Sequence, residues 1–127
     1  MKPYLLFLLP LILLSTKCDD DPVLSQDDDL NALTALKAKI ETLASASECN
    51  ETTTCKYIAF GSKPCGGPWG YLIYSTSIDV EILEEQVKTY NQMEADYNKK
   101  WGIFSDCMLV SPPKEVRCEN NTCVAVY

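Results

Sequence analysis

Six cysteines, Cys49, Cys55, Cys65, Cys107, Cys118 and Cys123, crowd the C-terminal part of this chain, and the sequence holds no histidine at all. That combination limits the fold more than any other feature. Zinc would need four thiolates, and no Cys-x2-Cys pair is present to supply them, so no metal and no cofactor are expected. An even set of cysteines in a chain this short points instead to three disulfides that reinforce a thin core. The pairing is open on sequence grounds. Local geometry favours Cys118 with Cys123 across a hairpin and Cys49 with Cys55 around the polar loop Asn50–Thr54. Cys65 and Cys107 then form the long-range pair, while an exchange that joins Cys49 to Cys123 remains open. On the chain-entropy account the long bridge contributes about 4 kcal/mol and each short one about 2 to 2.5, so Cys65–Cys107 should dominate stability.

The seventh cysteine, Cys18, ends an N-terminal stretch with a basic start at Lys2, an apolar run from Leu5 to Leu14 broken by Pro10, and the small or polar residues Ser15 and Thr16. The run is shorter than the roughly 20 residues that a bilayer span needs. It has the organisation of an export signal, and it resembles a bacterial lipoprotein signal, which implies lipidation of Cys18. Asp19, Asp20 and Asp21 directly after it resemble the surface-export tag of certain Gram-negative lipoproteins. The resemblance implies a membrane anchor and a surface-exposed protein of the bacterial outer membrane. Lys17 departs from the small residue usual before the cysteine, which leaves a secreted or periplasmic product as the alternative. An exported location also favours disulfides over free thiols. The expected division is a signal peptide over 1–17, an acidic tether over 18–25 and one disulfide-stapled domain over 26–127.

Lys2 and Lys17 lie in the leader and all 18 acids follow it, so from Cys18 onward 18 acids face 9 bases, a net charge of −9. Six of those acids lie between Asp19 and Asp29, and from Leu30 on 12 acids face 9 bases. The acidity therefore belongs mainly to the tether. No Lys/Arg cluster exists to neutralise phosphates, which argues against a nucleic-acid partner.

Two amphipathic helices stand out. Leu30, Leu33, Leu36, Ile40 and Leu43 share one face of a segment from about Asp27 to Ser47, with Ser25 and Asp28 placed to cap it. Val80, Leu83, Val87, Tyr90, Met93, Tyr97 and Trp101 do the same from about Asp79 to Trp101, and Gly102 follows as the stop. Short strands are expected over Lys56–Phe60, Trp69–Ser75, Met108–Val110, Glu115–Cys118 and Cys123–Tyr127. Asn120-Asn121 suits the positive φ angles of a tight hairpin turn between the last two. The order predicts an α+β fold, two helices packed on a small, mostly antiparallel sheet and stapled by three disulfides.

Without histidine, Ser-His-Asp and Cys-His catalysis are excluded, and no Gly-x4-Gly-Lys-Ser/Thr loop is present to hold phosphates. No catalytic residue is expected. Ser105-Asp106-Cys107 reads as a turn cap. The sharpest local signal is the segment around Gly66, Gly67, Pro68, Trp69 and Tyr71, a tightly turned loop beside two aromatic residues. All five are candidate binding-loop residues, with Trp69 and Tyr71 as the anchors of a rigid loop; the competing reading, preferred for Trp69, packs it under the second helix and leaves the glycine loop exposed. Cys-Gly-Gly-Pro-Trp, Ser-Asp-Cys and the closing Cys-x4-Cys together resemble a small cysteine-rich exported domain of bacterial lipoproteins. That resemblance implies domain limits near Cys49 and Cys123 and carries over no activity. The expected function is a non-catalytic, lipid-anchored module that binds a protein or polysaccharide partner. The alternative is an inhibitor of an exported hydrolase, either a protease or a cell-wall enzyme.

Overall fold

The structure, a computed structural model, describes residues 23–127. Cys18, the aspartate run after it and the export signal lie outside the described residues. Helix α1 spans Gln26–Ser45. The Ser25 hydroxyl accepts the Asp28 N–H, while the Asp28 carboxylate accepts the Ser25 N–H, so the cap forms as the sequence suggests. Helix α2 spans Val80–Trp101, begins on Asp79, which accepts from the Ile82 N–H, and stops at Gly102 in the left-handed conformation. The helices run antiparallel. At one end Gln26 Nε2 donates to the Tyr97 hydroxyl, and the Asp29 carboxylate takes bonds from Lys100 Nζ at 2.6 Å and Trp101 Nε1 at 2.9 Å. Trp101 is thus bonded by its indole N–H rather than sealed in the core. Leu30, expected on the buried stripe, is exposed because the stripe turns inward only from Leu33.

Strands β1 (Cys55–Phe60) and β2 (Gly70–Ser75) form an antiparallel hairpin with Tyr57 opposite Ile73 and Phe60 opposite Gly70. Ile58, Phe60, Leu72 and Tyr74 face the helices and complete the core with Leu33, Ile40, Ala44, Leu83, Val87 and Tyr90. Lys56, on the same side, donates to Glu84 of α2 at 2.8 Å. The Tyr74 hydroxyl also donates to Glu84 at 2.7 Å, and its burial, with that carboxylate beside it, pushes the phenol well above its ordinary range. Strands β3 (Glu115–Glu119) and β4 (Thr122–Val126) form a second hairpin, turning at Asn120 and Asn121 with φ of 49° and 62°.

The fold is α+β with two helices, two small antiparallel hairpins and three disulfides. The strands do not join into one sheet. Cys55 alternates away from the core-facing residues of β1, and it bonds to Cys123 of β4. The second hairpin therefore lies on the face of the first that points away from the helices, as a third layer. Met108–Val110, expected as a strand, has no partner strand and no regular structure. Its flanks explain this. Cys107 is bonded to Cys65, and Pro112-Pro113 removes the backbone donors that a ladder would use.

The bridges require a further correction. Cys118 and Cys123 do stand opposite each other in the hairpin register, yet they are not bonded to each other. Cys118 bonds to Cys49 and Cys123 to Cys55, while Cys65–Cys107 is as expected. Both hairpin thiols point at the layer beneath, where Cys49 and Cys55 lie, and the Cys49 N–H donates to Asn121 O at 2.9 Å. Interlayer bonds close sequence separations of 69 and 68 residues against 42 for Cys65–Cys107. The longest loops are thus not where local geometry placed them.

Candidate functional site

At the end of the molecule where α1 begins and α2 stops, two irregular segments lie together. One is the β1–β2 connection, residues 61–69, and the other is residues 103–113 between α2 and β3. The first is held against α2 by backbone-directed bonds. Asn91 Oδ1 accepts the Gly61 N–H at 2.7 Å, Glu94 Oε2 accepts the Ser62 N–H at 2.5 Å, and Asn98 Nδ2 donates to Ser62 O at 2.7 Å. Gly61 has a φ of 85°, and a Cβ there would lie 2.6 Å from Cδ1 of Trp69. A glycine is therefore needed where Trp69 crosses the backbone. Gly66 and Gly67, at φ of 94° and 81°, turn the tip, which closes through Lys63 N–H to Gly67 O and Gly66 N–H to Lys63 O, both 2.9 Å.

Lys63 ties the two segments together. Only 8% of it is exposed. Its ammonium donates to Asp106 Oδ1 at 3.1 Å and to the Met108 carbonyl at 2.7 Å, and lies 5.1 Å from the centre of the Trp69 ring. A buried ammonium is tolerable because all of this polar surface converges on it. The bond from Lys63 holds the Asp106 carboxyl below the usual carboxylate range. The Cys65–Cys107 bridge adds a covalent link beside it.

Trp69 is not core. It is 46% exposed, and Gly66 and Gly67 are exposed with it, while Pro68 and Tyr71 are half-buried. Tyr71 packs edge-on to Tyr57 with ring centres 5.6 Å apart. Trp69 misses the core because it shares the outward alternation of Tyr71 and Ile73, while Leu72 and Tyr74 take the inward positions. The structure thus brings Gly66, Gly67, Pro68 and Trp69 to one exposed tip and leaves Tyr71 on the flank of the hairpin.

The second segment contributes residues that the sequence reading passed over. Phe104 is 95% exposed, Leu109 93% and Met108 72%. The signal available in the sequence was Met108-Leu109-Val110 itself, read as a strand. Two neighbouring side chains that both face water are incompatible with a strand half-covered by a core. Among the described residues, no hydrogen bond engages the N–H or C=O of Leu109, Val110 or Ser111.

Other clusters are accounted for by structure. The Sγ atoms of Cys49, Cys55 and Cys123 lie within 4.8 Å of one another, but they belong to the two adjacent bridges and offer no thiolate to a metal. The cleft between the helices, about 300 Å³, is lined by Leu24, Leu33, Met93 and Tyr97 together with Asp29 and Asp96. The Asp29 carboxylate in it is already engaged by Lys100 and Trp101, which hold its pKa down. No helix among the described residues is long and apolar enough to cross a membrane. Comparison of the chain with protein-family models, with curated proteins and with solved structures found no match.

Proposed function

We propose that this chain is a non-catalytic, lipid-anchored protein of the bacterial envelope or cell surface that binds another macromolecule through the paired loops 61–69 and 103–113. One observation carries the reading. Phe104, Met108, Leu109 and Trp69 are displayed to solvent on backbone that Lys63 and the Cys65–Cys107 bridge hold in place. Exposed apolar groups clustered on an ordered surface mark interaction sites, and a pre-ordered loop docks without paying the entropy of ordering. Three disulfides favour a location outside the cytoplasm, and the anchor is Cys18.

The test has two arms. Cys18→Ser is expected to release the protein from membranes or leave an unprocessed precursor; normal processing with full membrane retention would refute the anchor. For the surface, a Phe104→Ser/Met108→Ser variant, which removes side chains that face solvent, should melt close to wild type and lose saturable binding to an envelope component that the wild type holds. Equal binding by the variant would move the site elsewhere. A second reading, inhibition of an exported hydrolase, is favoured by the backbone of Leu109–Ser111, which bonds to no described residue and could pair with an enzyme cleft.

A further inference from the structure

We infer that residues 107–113 form a substrate-like loop that blocks exported serine proteases of chymotrypsin- or subtilisin-like specificity, with Leu109 entering the primary specificity pocket. The inference rests on the reading of the paired loops as a binding surface and names the partner of that surface. Proteases read extended backbone, pairing with N–H and C=O groups on both sides of the bond they cut. The chain offers backbone that bonds to no described residue, held at both ends. Upstream, Cys107 is bonded to Cys65 and the Met108 carbonyl accepts from Lys63. Downstream, Pro112 is followed by Pro113, which is buried, and the Lys114 N–H is bonded to Val126 O at 2.8 Å. Between these anchors Leu109, Val110 and Ser111 make no hydrogen bond to any described residue, and Leu109 projects almost wholly into solvent.

Because the Met108 carbonyl is engaged and the Leu109 carbonyl is not, the bond presented for attack is Leu109–Val110. The protease serine oxygen adds to the Leu109 carbonyl carbon and the bond to the Val110 nitrogen breaks. The proton taken from the serine passes through the protease histidine to the new Val110 amine. With both flanks anchored, that amine stays beside the acyl group, so its attack re-forms the peptide bond and returns the proton to the serine. A flexible segment of the same sequence would lose the amine and be consumed as a substrate. A bilayer would use only the apolar side chains and not the backbone of Leu109–Ser111, and the vesicle arm of the experiment separates the two occupants.

The experiment titrates the oxidised mature chain from residue 19 against chymotrypsin, subtilisin and trypsin. Stoichiometric inhibition of chymotrypsin or subtilisin, with trypsin spared, is expected. Leu109→Asp should weaken that inhibition at least about 30-fold without moving the melting temperature, since an interface anchor removed from a buried pocket has an effect of that order. Leu109→Lys should transfer inhibition to trypsin, a gain that a merely structural residue would not produce. Cleavage of the wild type at Leu109–Val110 at the rate of an unfolded peptide would overturn the proposal, as would failure to inhibit both chymotrypsin and subtilisin. Flotation with phosphatidylglycerol vesicles, lost in Phe104→Ser and unaccompanied by inhibition, would also overturn it and assign the surface to membrane. Loss of the protease reading alone, with partner binding still dependent on Phe104 and Met108, leaves the binding module standing.

Discussion

The two ends of this molecule use disulfides for opposite purposes. At the hairpin end, Cys49–Cys118 and Cys55–Cys123 fasten a two-stranded layer that gives no residue to the hydrophobic core; Glu115, Arg117, Cys118 and Glu119 of β3 are all exposed. An isolated two-stranded hairpin is marginal in water, so covalent links here stand in for a core. At the loop end, Cys65–Cys107 encloses no such layer. It fixes two segments whose apolar side chains remain in solvent. One end uses its bridges to stay folded, while the other uses its bridge to keep a surface in shape.

The largest expected effect comes from removing both hairpin bridges by changing Cys49, Cys55, Cys118 and Cys123 to Ser. Once one of the two is closed, the other closes a loop of only roughly 13 residues, because its partners are near neighbours in sequence. The chain-entropy account then gives about 7 kcal/mol for the pair, but only about 3 for either one alone. Cys65→Ser/Cys107→Ser stands between, at about 3.5 kcal/mol, because with Cys49–Cys118 closed its partners are joined by a path of only roughly 28 residues through 49–65 and 107–118. Thermal melts of the three variants should follow that order, and hydrogen exchange in the first should show β3–β4 released. A single hairpin bridge costing more than Cys65–Cys107 would break the comparison, since it would show that the two hairpin bridges are not redundant.

A smaller effect is expected at Gly61. Alanine there meets a positive φ and Trp69 together, and the strain should cost about 1 to 3 kcal/mol in urea unfolding. It should also shift Trp69 fluorescence, because the indole must move. Ala substituted at the exposed Gly66 should cost less, since nothing lies near its Cβ position. Equal costs at the two glycines would show that backbone conformation alone, and not the Trp69 crossing, decides the site.

The smallest effect is acidic weakening of the loop end. Asp28, Asp29 and Asp106 all have carboxyls held below the ordinary range, by Ser25, by Lys100 and Trp101, and by Lys63 respectively. A depressed folded pKa contributes stability that is present above the unfolded value and lost as pH falls through the folded one. These contacts should hold above about pH 4 and weaken progressively below it. Amide exchange at residues 26–29 and 104–108 should therefore quicken on acidification before that of β3–β4, where Arg117–Glu119 is an exposed pair of little worth. Simultaneous acceleration at both ends would dissolve the distinction.

Much of this architecture is written in short-range chemistry. Ser25 with Asp28, Asp79, Gly102 and the Asn120-Asn121 turn each act within four residues. Helix limits read from them differ from α1 and α2 by one or two positions. Cys65–Cys107 was reached only by assigning the other four cysteines to local pairs, and those pairs do not form. The rigidity of the glycine loop was legible in Gly66-Gly67-Pro68, but the exposure of Phe104 and Leu109 was not, because an apolar triplet reads as a strand whether or not a neighbour exists to cover it.

By itself, the sequence determined the helices, their caps, the hairpin turn and the α+β class, since these depend on hydrogen bonds and apolar periodicity along a few residues. Only the tertiary structure decided that the strands split into two layers, that Cys118 and Cys123 turn to Cys49 and Cys55, and that Lys63 reaches Met108 across 45 residues. Each of those depends on which surface is left uncovered once the core has closed, and that is a property of the packed molecule rather than of any stretch of its chain.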